Sequence, residues 1–237
     1  MPIHKLKLLN KCQIARNTVE YVFEKPAGLD YIPGQYAGFT LINPAETDAG
    51  GITRRFSLVS TPDENYITIA MRIQTSAYKR VLNSLPIGSE IKFAGPSGNF
   101  TLHADTTVPA VFIAGGIGIT PFYSMIKYAA QHRSQQKIIL FYGNQTPDDA
   151  AYLEDLHSLQ SQNPNFTFVP VMANPDDKWH GETGFITHTL IKKIIPDIDI
   201  PVYYICGSPA MVTALQETLV EMGINEDKIR IEDFPGY

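Results

Sequence analysis

The sequence predicts two domains: an antiparallel six-stranded β-barrel over residues 1–103, followed by an α/β domain with a parallel sheet over residues 104–237. Three observations carry that reading. Up to residue 103 the chain runs in short alternating segments rich in β-branched and aromatic residues, separated by turn-forming stretches. Beyond residue 107 apolar runs alternate with helical patterns, the rhythm of right-handed strand–helix–strand crossovers. At 237 residues, with 44% hydrophobic, 11% aromatic and 18% charged residues, the chain is long and apolar enough to bury two modest cores.

The barrel strands are read at KLKLLNKCQIA, TVEYVFEK, QYAGFTLI, RRFSLVS, YITIAMRI and EIKFAGP, with turns such as PAGLDYIPG, NPAETDAGG and TPDEN between them. One helix interrupts this series. In SAYKRVLNSL, residues 76–85, Tyr78, Val81, Leu82 and Leu85 fall on one helical face and Ser76 is an N-cap candidate. In the second half the strands are PAVFIAGG, KIILFYGN, FTFVPVM, VYYICGS and KIRIEDF, with helices expected to begin near Thr120, Asp148, Phe185 and Pro209. The change of rhythm falls at HADTTV, residues 103–108.

Composition excludes several classes. The longest apolar stretch, residues 108–122, falls short of the roughly 20 residues a spanning helix needs and is broken by Pro109, Pro121 and glycines, so no membrane association is expected. The N-terminus has no apolar core of a secretory signal, and a cytoplasmic location is expected. Two cysteines, Cys12 and Cys206, cannot supply the four thiolates of an iron–sulfur cluster, so any cluster would belong to a partner. The net charge of −5 is uneven, +3 over residues 1–103 and −8 over the rest. A mildly basic barrel suits a phosphate-bearing ligand or an acidic partner, and uneven surface charge without meaning accounts for it equally well. Nothing favours nucleic acid. The six histidines show no metal-ligand spacing, so no metal site is expected. GPSGN at 95–99 misses the hydrolase elbow by one position, and the acidic pairs Asp148-Asp149 and Asp176-Asp177 read as solvated helix caps.

Three segments are placed to do chemistry. IAGGIGITPF, 113–122, is a strand, a glycine-rich turn and a helix start whose unpaired N–H groups suit phosphate. Taken alone, such a turn is as often a purely structural device. YICGSPAMV, 204–212, repeats the grammar around Cys206 and Gly207, and both turns fall at the carboxyl edge of a parallel sheet, where ligands bind. In RRFS, alternation puts Arg54 and Phe56 on one face and Arg55 and Ser57 on the other. A cation, a ring and a hydroxyl within four residues are able to hold a phosphate, stack on a flat ring and bond a ring nitrogen, although packing plus solvated charge explains such a strand by itself.

The ordered set PGQY, RRFS, GPSGNF, GGIGITPF, CGSPAMV and a C-terminal EDFPGY resembles the ferredoxin-NADP reductase family of flavoprotein oxidoreductases, over nearly the whole chain. The resemblance implies FAD, with FMN less favoured, bound by the barrel, and a nicotinamide dinucleotide received by the second domain. RRFS is similar to the family's Arg-x-Tyr-Ser motif, which implies that Arg54 holds a flavin phosphate, Phe56 stacks on the isoalloxazine and Ser57 bonds near N5. Val59, Ala70, Met71 and Arg72 would line the ribityl and phosphate region, and Ser76 would open the diphosphate site, here without the glycine that precedes it in relatives. Gly116, Gly118, Thr120 and Pro121 would lie closest to the nicotinamide nucleotide, with Cys206 and Gly207 beside its reactive carbon. Glu232 would tune protonation there, and Phe234 or Tyr237 would cover the flavin.

What the resemblance implies is an NAD(P)H-dependent flavoprotein reductase that moves a hydride to flavin and electrons on to a carrier such as ferredoxin, flavodoxin or an oxygenase component. NADH is the expected donor, because Ala173-Asn174, followed by Asp176 and Asp177, offers no cation to a 2′-phosphate apart from Lys178. Two alternatives share the fold: a free-flavin reductase, and a non-catalytic flavin-binding redox subunit of a larger complex.

Overall fold

The computed structural model describes residues 3–73 and 76–234. Six strands form the first sheet: β1 (Ile3–Ala15), β2 (Thr18–Glu24), β3 (Tyr36–Leu41), β4 (Thr53–Ser57), β5 (Tyr66–Arg72) and β6 (Glu90–Ser97). All pair antiparallel in the order β4-β3-β6-β1-β2-β5, which leaves β4 and β5 as its two edges. Alternation sets the core. In β3 and β6 every second side chain is buried, and Phe39, Phe93, Phe23 and Tyr21 fill the interior. Helix α1 (Ala77–Ser84) closes one end, as its apolar spacing predicts: Tyr78, Val81 and Leu82 are buried, and the Tyr78 hydroxyl donates to the Phe39 carbonyl at 3.0 Å. Ser76 caps it by accepting from the Lys79 N–H.

The second sheet is parallel, in the order β10-β9-β8-β7-β11-β12. Its strands are β7 (Ala110–Gly115), β8 (Ile138–Asn144), β9 (Phe166–Met172), β10 (Glu182–Thr183), β11 (Val202–Gly207) and β12 (Ile229–Asp233). Helices α2 (Ile119–Gln131) and α3 (Leu153–Gln162) cover one face, α4 (His188–Ile194) and α5 (Pro209–Glu221) the other. Buried on both faces, β7 is apolar throughout, as a central parallel strand must be. The fold is the predicted one, with local differences. The helix expected near Asp148 begins at Leu153, because residues 147–149 form a short turn capped by Thr146 and Asp149, and Tyr152 then takes a left-handed φ of 60°. The helix expected near Phe185 begins at His188, where the Thr187 hydroxyl caps the Leu190 N–H at 3.3 Å. Strand β10 has too few residues to show a period.

The two layers meet along α2. Its residues from Ile119 to Ile126 are all buried, since one side lies on the parallel sheet and the other against the barrel. Ser124 Oγ donates to the Ser60 carbonyl at 2.8 Å, and Lys127 pairs with Glu64 at 2.5 Å. Val59 and Ala70 of the barrel share one apolar cluster with Cys206 of β11.

Candidate functional site

The edge strand β4 carries the first half of the site. Arg54 and Phe56 stand opposite the buried Phe39 and Ala37, so both turn to the barrel's inner face; Arg55 and Ser57 turn outward with Gly38 and Tyr36. The half-buried Phe56 ring rests on Phe39 and Tyr78, with centroids 5.9 and 6.0 Å away. Arg54 lies over the Tyr78 ring at 5.2 Å, and Arg55 over Tyr36 at 5.5 Å. Ser57 is 4% exposed, and its hydroxyl is buried without a hydrogen-bond partner. A buried hydroxyl left unpaired is costly, which fits a ligand atom as its partner.

Beside β4, the start of α1 gathers positive charge. Burial first, then Arg54 and Arg72, push the Lys79 ammonium below its usual range, so three cations share one neighbourhood with the first N–H groups of a helix. A diphosphate suits that donor set. Of the other residues expected around the flavin, Val59 and Ala70 reach the layer between the two sheets, whereas Met71 is buried in the barrel core.

The second half lies at the carboxyl edge of the parallel sheet. A cavity of about 560 Å³ is bordered by Gly115, Gly116, Ser208, Met211 and Phe185, with Arg72 reaching in from the barrel. Gly116 turns with φ +50°. The neighbouring glycines serve close packing: a Cβ on Gly115 would overlap the Met211 thioether, and one on Gly118 would overlap the Cys206 carbonyl. Thr120 and Pro121, expected nearest the nucleotide, are buried inside the first turn of α2, and the Thr120 hydroxyl donates to the Ile117 carbonyl at 3.0 Å. Neither they nor Gly118 borders the cavity.

Cys206 and Glu232 are paired across β11 and β12. Burial raises the Cys206 thiol well above its ordinary value, and Glu232 and Asp233 add to that, so the side chain is a thiol rather than a thiolate. Burial, with Asp233 next to it, pushes the Glu232 carboxyl up to about 7, and its Oε2 is buried without a partner. The Phe234 N–H donates to the Gly207 carbonyl at 3.0 Å, and its ring packs on the cluster that contains Cys206, Val59 and Ala70. Tyr237 lies outside the described residues.

Four contributors were not assigned a role from the sequence. Lys79 and Asp48 belong to no motif and reach the site only through the barrel's closure; the Asp48 carboxylate accepts from the Ala77 N–H at 2.7 Å and faces Arg54 at 3.5 Å. Met211 lies within CGSPAMV, in the first turn of α5, where the motif gave it no role. Phe185 is 77% exposed on the cavity wall, signalled in the sequence by an aromatic following Gly184 in a polar stretch.

Comparison with known proteins agrees with this geometry. Residues 5–102 match the oxidoreductase FAD-binding domain family and residues 112–217 the oxidoreductase NAD-binding domain family. A subunit of the Na(+)-translocating NADH-quinone reductase of Actinobacillus succinogenes is 33% identical over 202 residues, 78% of this chain and 49% of that protein. The same subunit in Serratia proteamaculans is 30% identical over 226 residues, 86% of this chain and 55% of that protein. The chain thus spans about half the length of these relatives. Among solved structures, an Amycolatopsis cytochrome P450 reductase superposes with a TM-score of 0.83 at 24% identity, covering 98% of this chain and 70% of that one. A Neisseria gonorrhoeae ferredoxin NADP+ reductase superposes at 0.80 and 20% identity, covering 98% of each. With an FAD-binding barrel and an NAD-binding parallel sheet matched in order, the chain belongs to the ferredoxin-NADP reductase family of flavoprotein oxidoreductases.

Proposed function

We propose that this chain is the NADH-oxidising, FAD-bearing reductase unit of a larger electron-transfer assembly. The observation that carries the reading is the shared cluster in which Val59 and Ala70, from the barrel, touch the layer of Cys206 and Phe234, from the parallel sheet. A flavin on the first and a nicotinamide on the second would meet there. When bound, the flavin supplies the hydride-accepting and electron-releasing chemistry. The residues supply position. Arg54, Lys79, Ser76 and the start of α1 hold phosphate; Phe56 offers a ring face; Ser57 offers a buried hydroxyl to a ring nitrogen; Phe234 lies over the junction. Cys206 and Glu232 flank the place where the two rings meet, with Glu232 able to hold a proton near neutral pH. On the cavity's outer wall Phe185 is a platform for the adenine ring.

NADH is favoured over NADPH by the residues at the end of β9. Ala173 borders the cavity, and the Asn174 amide is engaged with the neutral Gln145 side chain at 2.8 Å. The name of the Actinobacillus and Serratia relatives, an NADH-quinone reductase, supports the same choice. Those relatives are components of a larger enzyme, and this supports a reading in which the electrons leave to a partner.

For the partner, an acidic carrier protein fits the outer face of the barrel. Lys5 and Lys92 stand opposite each other on it, with Lys7 and Arg55 on the same side and all four exposed. Glu90 is the one acid on that face of β1, β3, β4 and β6 among the described residues, and it pairs with Lys5 at 2.9 Å. Among the described residues no helix is long and apolar enough to cross a membrane. The two free cysteines agree with a reducing, cytoplasmic setting.

An anaerobic titration tests the reading. The purified protein should be yellow, release FAD on denaturation, and be bleached by NADH at lower concentration than by NADPH. Colourless protein that reduces added flavin would replace it with a free-flavin reductase. Protein that holds flavin and is bleached by neither nucleotide would replace it with a non-catalytic subunit.

A further inference from the structure

The loop between β3 and β4, NPAETDAGG, lies across the beginning of α1 and is fastened there at two points. Asp48 Oδ2 accepts the N–H of Ala77, the first residue of the helix, at 2.7 Å, while Oδ1 accepts the Gly50 N–H at 2.9 Å and faces the Arg54 guanidinium at 3.5 Å. One turn further on, Arg80 grips Glu46 through two nitrogens, at 2.9 and 2.5 Å. Arg54 is held to the same loop by donating to the Gly50, Gly51 and Thr53 carbonyls. An internal carboxylate therefore occupies a helix start and an arginine, with Arg72 and Lys79 close enough to Arg54 for their charges to be felt. Both of its partners are groups that a phosphate would use.

From this we infer that Asp48 is a tethered competitor for the flavin phosphates, closing the anion site of the flavin-free chain and swinging out when a phosphorylated flavin enters. The inference rests on the placement of the phosphates at Arg54 and α1 given above. Asp48 and a phosphate cannot both accept from the Ala77 N–H along one direction, and two anions at that distance repel. Asp48 itself is exposed, although Ala77 is buried, so the carboxylate has water to turn to when it leaves the contact. A closed state of this kind divides the observed affinity by the fraction of chains already open, with no change in the contacts the ligand finally makes. The loop brings its own counter-charge, which keeps three neighbouring cations from being left unscreened while the flavin is away. It also makes the competition selective: riboflavin, which has no phosphate, has nothing to displace.

The test uses the whole chain, stripped of flavin, and titrates riboflavin, FMN and FAD by quenching of flavin fluorescence. Asp48→Ala, which removes both the acceptor and the charge, should tighten FMN and FAD about three- to tenfold, Asp48→Asn, which removes only the charge, should tighten them by less, and both should leave riboflavin within about twofold. Asp48→Asn can still accept from Ala77, so it keeps the loop in place if the alanine variant does not fold. Unchanged or weaker FAD binding in the variants that fold would overturn the inference, as would riboflavin tightening as much as FAD. Arg54→Gln separates the two levels of the argument. If it weakens FAD while the Asp48 variants change nothing, the phosphates are correctly placed and only the competitor fails. If Arg54→Gln leaves FAD binding unchanged, the placement itself fails.

Discussion

Glu232 stands directly opposite Cys206 in the parallel ladder of β12 and β11, and neither side chain is ionised at mildly acid pH. The pH dependence follows from the carboxyl. Its value is raised from 4.5 to about 7 by burial and by Asp233, so the folded chain binds a proton that the unfolded chain has released. That contribution is complete below pH 4.5, shrinks as pH rises, and is gone above about 7. The span amounts to about 3 kcal/mol. Glu232→Gln, which stays neutral, should remove the decline: urea unfolding should show the variant more stable than the parent at pH 8 by about 2–3 kcal/mol and equal to it near pH 4.5. Parallel curves for the two proteins across this range would mean that the carboxyl is not held in its neutral form.

Ser57 gives a prediction in which stability and activity move apart. Its hydroxyl is buried and has no partner, so Ser57→Ala should leave the flavin-free protein as stable as the parent or about 1 kcal/mol more stable. If the hydroxyl bonds a flavin ring nitrogen, the same change should slow flavin reduction by NADH about tenfold or more, with little change in nucleotide affinity. Stopped-flow absorbance and thermal unfolding read the two quantities separately. An unchanged reduction rate would remove Ser57 from the site.

How far the site was legible depended on whether a residue's partners were near in sequence. The alternation of β3, β4 and β6 encodes its own burial, and the spacing of Tyr78, Val81 and Leu82 encodes the face of α1. The facing of Arg54 and Phe56 follows from period two alone. The burial of Thr120 and Pro121 was not legible, since a glycine-rich turn before a helix looks the same whether or not a barrel packs on that helix; here one does, as Ser124 bonding to Ser60 attests. Asp48 and Lys79 were invisible for a related reason. They lie 31 positions apart and are brought to one place only when the barrel closes beneath α1.

Nucleotide choice is predicted to hinge on Asn174. Its amide is satisfied by Gln145, and neither residue offers charge to a 2′-phosphate. Asn174→Arg should raise kcat/KM for NADPH about tenfold, equivalent to ~1.4 kcal/mol of charge-assisted hydrogen bonding, while changing NADH use less than threefold. Steady-state rates with both nucleotides check this. Equal effects on NADH and NADPH would place the adenosine end of the nucleotide elsewhere in the cavity.

Two glycines three residues apart, at the end of β7 and in the turn that follows it, should respond differently to the same added methyl. At Gly115 a Cβ would meet the end of the Met211 side chain, a flexible thioether, whereas at Gly118 it would meet the backbone carbonyl of Cys206. A thioether swings aside at modest cost, and a carbonyl in the ladder between β7 and β12 does not. Gly115→Ala should therefore cost about 1–2 kcal/mol and be largely recovered when Met211 is shortened to Ala in the same chain, apart from the penalty of that truncation alone. Gly118→Ala should cost more, about 3 kcal/mol, and Met211→Ala should not relieve it. A double-mutant cycle by urea unfolding gives the coupling in each case. Coupling of Met211 to Gly118 as strong as to Gly115 would show that the segment from Gly115 to Gly118 yields as one unit, and that the carbonyl of Cys206 is free to move.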